Sequence, residues 1–136
     1  MYQKSALDLN DAQTIAKAAL QEAHAQGWAI TIVVSDDGGH PLLLERMDKC
    51  PAASSYIATE KARTAALGRK ESAVYENMIN GGRTAFLSAP VLQGLLEGAV
   101  PVLRDGQVIG AVGVSGAKSD QDVQVARAGI AALGLA

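Results

Sequence analysis

The stretch Val100-Pro-Val-Leu-Arg-Asp-Gly-Gln-Val-Ile-Gly-Ala-Val-Gly-Val-Ser-Gly116 decides the fold, because it predicts a β-hairpin. Strands are expected over 100–103 and 108–115, on either side of the dipeptide Asp105-Gly106. Asp-Gly between two apolar runs favours a type I′ turn, in which both central residues have positive φ. The second strand is apolar on both faces, which is typical of a central strand that is covered on both sides.

Two glycines interrupt the side-chain cover of this second strand. Gly110 and Gly113 lie inside it, and glycine within a strand marks the close approach of another backbone, a helix or a ligand. A helix predicted over 52–67 can supply that approach, because one of its faces carries only small side chains. The members of this face are Ser54, Ser55, Ala58, Ala62, Ala65 and Ala66.

The other elements complete an α+β pattern. The order α-β-β-α-α-β-β-α lacks the sustained strand–helix–strand alternation of a doubly wound sheet. It predicts a mainly antiparallel sheet of four to five strands with helices packed on it. The remaining elements are a helix over 10–26 capped by Asn10, strands over 29–35 and 40–46, a helix over 72–79 capped by Ser72, a possible helix over 91–96, and a final helix in which Ser119 and Asp122 form a capping box.

Composition narrows the class of protein. The 136 residues predict one domain, 1–136, with a core of small aliphatic side chains, since 49% of residues are apolar but only 4% aromatic. A net charge of −2 without a basic block gives no indication of nucleic-acid binding. The apolar runs are too short to span a bilayer, so we expect a cytoplasmic protein. The single cysteine, Cys50, excludes an internal disulfide and a multi-cysteine metal site.

A small group of charged residues could form a binding site. Arg46 and Asp48 leave the second predicted strand, and Lys61 borders the small face of the helix over 52–67. An arginine fork and an ammonium together make a receptor for a carboxylate or a phosphate. The alternative is a buried ion-pair network in which Asp48 or Asp36 neutralises one of these cations, and the sequence leaves both open. Asp122 is explained more simply as a helix cap.

The two histidines have alternative interpretations. His24 lies at the border of the apolar stripe of the first helix, where it is either an exposed helix residue or a ligand for haem iron. His40 follows a Gly-Gly turn, where it either begins a strand or serves as an acid or base. No third histidine exists, so no metal site is predicted.

Several separated segments together resemble one known family, the GlcG/HbpS family. Val34-Ser-Asp-Asp-Gly-Gly-His-Pro-Leu-Leu-Leu-Glu-Arg-Met-Asp48 is similar to its Asp-x-Gly-Gly-His…Arg-Met-Asp segment, and Glu60-Lys-Ala-Arg-Thr-Ala-Ala-Leu67 to its lysine helix. Gly98-Ala-Val-Pro101 and Val108-Ile-Gly-Ala-Val-Gly-Val-Ser-Gly116, followed by Gln121-Asp122, resemble its closing signature. The resemblance covers about residues 28 to 133.

The resemblance implies a fold, an assembly and a set of ligands. Members of the family adopt a profilin-like sandwich with an antiparallel sheet and assemble as even-numbered homo-oligomers, such as tetramers or octamers. Secreted HbpS relatives bind and degrade haem, and the related C-terminal domain of PduO proteins binds haem through a histidine on its first helix. His24 lies on what looks like the equivalent helix.

Three functional hypotheses follow from the residues and the resemblance. The first is a ligand-binding oligomer that serves glycolate or other small-acid metabolism. The second is a haem- or tetrapyrrole-binding protein, with possible haem breakdown, in which His24 is the axial ligand. The third is an enzyme that uses Lys61 or His40 as a base. The pocket expected for a small-molecule ligand consists of His40, Arg46, Asp48, Lys61, Gly113, Ser115 and Gly116.

Overall fold

The computed structural model describes residues 1–135 and has the predicted element order. Both hairpins are confirmed, and the turn between β3 and β4 has positive φ at Asp105 (50°) and Gly106 (78°), as its Asp-Gly sequence requires. A short 3₁₀-helix, Thr84–Ser88, follows α3. The other elements are α1 (Leu9–Gln26), β1 (Thr31–Asp36), β2 (Pro41–Arg46), α2 (Ala53–Gly68), α3 (Ser72–Asn80), β3 (Ala99–Arg104), β4 (Gln107–Ser115) and α4 (Ser119–Ala131).

The four strands form one antiparallel sheet in the order β2-β1-β4-β3. β4 therefore lies between β1 and β3, and all its residues after Gln107 are buried, as predicted for a strand covered on both faces. The α+β class with an antiparallel sheet is confirmed.

The sheet separates two layers of helices. On one face, α1 and α4 bury the main core, which includes Ile32, Val34, Val112 and Val114. On the other face, α2 lies against β4 so closely that a Cβ added to Gly113 would be 2.3 Å from the carbonyl oxygen of Ala58. The small face of α2 and the glycine of β4 thus allow the contact predicted from the sequence.

The N-termini of three helices differ from prediction. α1 is capped by Asp8, whose carboxylate accepts the N–H of Asp11, so it begins before Asn10. Ser72 is the first residue of α3, and its hydroxyl accepts the N–H of Ala99 in β3. Asp122 does not cap α4, because its side chain points to a buried partner described below.

Residues 89–98 cross over α2 as an irregular segment rather than as the helix considered for 91–96. Val91 has a positive φ of 57° and is 61% exposed. Gly94 lies directly on the backbone of Glu60 and Lys61, and its N–H donates to the hydroxyl of Thr64. No helix within residues 1–135 is both long and apolar enough to cross a bilayer.

Candidate functional site

A buried ion pair joins α2, β4 and α4. The ammonium of Lys61, a residue that is 4% exposed, donates to the carbonyl oxygen of Val114 at 3.0 Å and to Oδ2 of Asp122 at 3.3 Å. Oδ1 of Asp122 accepts the N–H of Ala117 at 3.0 Å. Of the two alternatives left open for Lys61, the structure shows a buried ion pair, but its partner is Asp122 rather than Asp36 or Asp48.

Burial dominates the titration of this carboxyl group. Asp122 is 2% exposed, and the loss of solvation raises its pKa to about 6, although Lys61 and the N–H of Ala117 favour the ionised form. A carboxyl group with such a pKa exchanges its proton close to neutral pH, which makes the pair a candidate for function as well as for stability.

Two glycines of the segment over α2 make room for the lysine. Gly98 has a φ of +143°, and a Cβ placed there would lie 2.5 Å from the Nζ of Lys61. Gly94 is packed on the α2 backbone, as described above. The ammonium is therefore buried under the backbone at Gly98, and Gly94 brings the same segment onto the α2 backbone beside Lys61.

The residues predicted to line one pocket are found in different surroundings. Lys61, Gly113 and Ser115 are buried between β4 and α2. Arg46 and Asp48 are exposed and form no ion pair within residues 1–135. The registers β2-β1 and β1-β4 place Arg46 and Ser115 on either side of Thr31 in one row across the sheet. Their backbones are thus two strand spacings, about 10 Å, apart.

His40 is held by an aspartate at the β1–β2 turn. Its Nδ1 lies 3.1 Å from both carboxylate oxygens of Asp36, which also accepts the N–H groups of Gly38 and His40. Partial burial opposes ionisation of Asp36, but these hydrogen bonds outweigh it and lower its pKa. The side chain of His40 is 80% exposed, so its Nε2 faces solvent. A role as a base remains a prediction for both His40 and Lys61.

His24 lies in the last turn of α1 and is exposed. Its imidazole forms no hydrogen bond or ion pair with any residue the structure describes. Neutral imidazole is a common axial ligand of haem iron, and its unprotonated nitrogen is available for such a bond in His24.

A groove of about 420 Å³ opens beside the C-terminal end of α1. We call it the Trp28 groove, and its wall includes Trp28, Lys49, Gly116, Lys118 and Gln121. Gly116, predicted as a ligand-binding residue, is exposed there with a φ of +128°. The groove lies next to the buried pair, since Ala117 both lines it and donates to Asp122.

Sequence reasoning missed Trp28, Lys49 and Lys118 as residues of one groove. They come from three connections that are distant in the chain and meet at one end of the sheet. The pairing of Lys61 with Asp122 was missed for a similar reason, because Asp122 at the start of a helix resembles a cap. The one indication that Asp122 belongs to a site is its place in the Gln121-Asp122 dipeptide, which follows the segment that resembles the closing signature of the family.

The fold and the buried site define a class of protein: a small α+β domain whose antiparallel sheet is covered by helices on both faces. A buried Lys–Asp pair joins α2 to α4 beside β4. A family model described as haem-degrading protein HbpS-like matches residues 7–131, and the chain belongs to this family. It is 55% identical to Protein GlcG of Escherichia coli (strain K12) over 115 residues, which are 85% of each chain.

Solved structures of related proteins have the same fold. A structure of HbpS matches with a TM-score of 0.89 and 32% sequence identity, over 98% of this chain and 94% of that chain. A structure of the PduOC–haem complex matches with a TM-score of 0.86 and 27% identity, over 96% of this chain and 97% of that chain. The resemblance to the GlcG/HbpS family, and its relation to PduO, are thus confirmed.

Proposed function

We propose that this protein binds haem, with His24 as an axial ligand of the iron. The observation that carries the proposal is the free, exposed imidazole of His24 in a chain of a family described as haem-degrading. The haem complex of PduOC supports it, because that protein has the same fold.

The donor set of the chain fits haem better than a bare metal ion. Within residues 1–135 no group of three or more His, Cys, Asp or Glu side chains could hold a metal ion. Haem needs only one or two protein ligands, since the porphyrin supplies the other four. A single histidine at a helix end satisfies this requirement.

Titration of the purified protein with haemin tests the proposal. We expect a saturable shift of the Soret band, and we expect His24→Ala to abolish it, because the substitution removes the imidazole that ligates iron. His40→Ala is the matched control, since it removes the other exposed histidine and should leave the band unchanged. A Soret shift that survives in His24→Ala, or a titration that never saturates in the wild type, would contradict the proposal.

A second candidate function is the binding of small carboxylates, such as glycolate, by the Lys61 ammonium. The observation that favours it is the buried ammonium of Lys61, which lies 3.3 Å from its counter-ion Asp122, while burial disfavours the ionised form of that aspartate. Such a ligand would enter by displacement of the segment 94–98. A role in glycolate or other small-acid metabolism is part of this candidate, and the 55% identity to Protein GlcG supports a function shared with that protein.

Calorimetry with glycolate and glyoxylate distinguishes this candidate. Asp122→Asn removes the competing charge and keeps a side-chain oxygen for the N–H of Ala117, so we expect it to bind the acids about tenfold more tightly than the wild type. Asp105→Asn, which removes an exposed carboxylate in the β3–β4 turn away from the buried pair, is the control. Absence of heat with both the wild type and Asp122→Asn would exclude the candidate.

We also propose an even-numbered homo-oligomer, such as a tetramer or octamer, in the cytoplasm. Several large apolar side chains support self-association because they are exposed around the 3₁₀-helix and the segment over α2, among them Leu87 (67%), Val91 (61%) and Leu96 (46%). Light scattering after size exclusion should give four or eight times the 14.0 kDa chain mass. A mass of one chain at micromolar concentration would refute the assembly.

A further inference from the structure

The Trp28 groove presents positive charge without a neighbouring carboxylate in its wall. Lys49 and Lys118 line it together with neutral residues, and neither ammonium forms an ion pair within the part of the chain that the structure describes. Two unpaired cations on one concave surface favour an anionic group with two charges.

Four other cavities differ from the Trp28 groove because each has an acidic residue in its wall. Their volumes lie between about 240 and 650 Å³, and the acidic residues are Glu76, Glu71, Asp37 and Asp11. A carboxylate in the wall repels an anionic ligand and neutralises a nearby lysine. The Trp28 groove is therefore better suited to an anion than these four cavities are.

The groove lies next to the proposed haem ligand. Gly27 forms part of its wall, and the N–H of Gly27 donates to the carbonyl oxygen of His24 at 3.1 Å. The half-buried ring of Trp28 follows directly and gives the groove an apolar surface. A flat ligand held at the last turn of α1 thus borders a groove whose wall contains Gly27, Trp28 and the two lysines.

We infer that the Trp28 groove binds the propionate edge of haem, with Lys49 and Lys118 as the partners of its two carboxylates. This inference rests on the proposed haem function and adds the orientation of the ligand. Because each pair is solvent-exposed, each lysine contributes a few-fold in affinity, and the two together contribute on the order of tenfold.

The experiment compares haemin with its dimethyl ester, in which both propionates are uncharged. We expect the wild type to bind haemin about tenfold more tightly than the ester at low salt, and the difference to shrink at high salt because screening weakens exposed pairs. Lys49→Gln/Lys118→Gln should lose this preference while the Soret maximum of bound haemin stays the same, because His24 is unchanged. Lys70→Gln, an exposed lysine outside the groove, should keep the preference.

The outcomes separate the inference from the proposed function. A double lysine variant that still prefers haemin over the ester, with a Soret shift that depends on His24, would overturn the inference and leave haem binding intact. Equal affinities of the wild type for haemin and its dimethyl ester would also overturn the inference and leave haem binding intact. Absence of any saturable, His24-dependent Soret shift would overturn both.

Discussion

Replacing Gly113 by alanine is expected to lower the free energy of unfolding by more than about 3 kcal/mol or to prevent folding. The new Cβ would lie 2.3 Å from the carbonyl oxygen of Ala58, 2.7 Å from the N of Ala62 and 2.9 Å from the Cβ of Ala62. Two of these atoms belong to the backbone of α2, which cannot move aside without separating the helix from the sheet. Urea unfolding followed by circular dichroism measures the change.

Gly81→Ala is the matched control for this substitution. Gly81 has an ordinary φ of −81°, and its nearest neighbour would be the carbonyl oxygen of Asn77 at 3.2 Å. Its effect should stay within about 1 kcal/mol, because a compatible Gly→Ala change also reduces the entropy of the unfolded chain. Similar stabilities of Gly113→Ala and Gly81→Ala would show that the contact between α2 and β4 is more adaptable than these distances imply.

The contact at Gly113 also shows why the fold could be predicted from the sequence. The Asp105-Gly106 turn, the apolar β4 and the small face of α2 are local patterns, and each of them restricts the structure of its own segment. Their combination leaves few arrangements, since a glycine gap in a strand and an all-small helix face complement each other. Burial of both surfaces together then determines the packing.

The candidate site could be predicted only in part, because its contacts are not local. Lys61 and Asp122 are 61 positions apart, and no periodicity relates a residue in the middle of one helix to the first turn of another. The helix-start errors have a related cause: Asp8 caps α1, although Asn10 also suits that role, and only the structure shows which one contacts the N–H of Asp11. The free imidazole of His24 is consistent with its position at the border of the apolar stripe.

The buried pair leads to a second large expected effect. Lys61→Met should lower the free energy of unfolding by about 3–5 kcal/mol at pH 7.5, because it leaves the carboxylate of Asp122 buried without a cation. The loss should be smaller at pH 5, where Asp122 can take up a proton and become neutral. In Lys61→Met/Asp122→Asn no charge remains at the site, and we expect this variant to recover much of the stability at pH 7.5.

In the wild type, the free energy of unfolding should depend on pH because the carboxyl group of Asp122 titrates. The pKa of Asp122 is about 6 in the folded protein against an ordinary value of 3.8, so the folded state binds a proton that the unfolded state has released. The free energy of unfolding should therefore fall as the pH rises from about 4 to about 6, by at most about 3 kcal/mol. The lowered pKa of Asp36 acts in the opposite sense, and only at more acidic pH, where that group takes up its proton.

Asp122→Asn isolates this contribution, because asparagine does not titrate and keeps an oxygen for the N–H of Ala117. Urea unfolding at half-unit steps between pH 4 and pH 7.5 should show a flatter profile for Asp122→Asn than for the wild type. Asp105→Asn changes an exposed carboxylate in the β3–β4 turn, away from the buried pair, and should retain the wild-type slope. If the stability profiles of Asp122→Asn and the wild type were parallel, the pH dependence would come from the titration of another group. The buried pair would then serve as a fixed ionic contact between α2 and α4, with no part in ligand exchange near neutral pH.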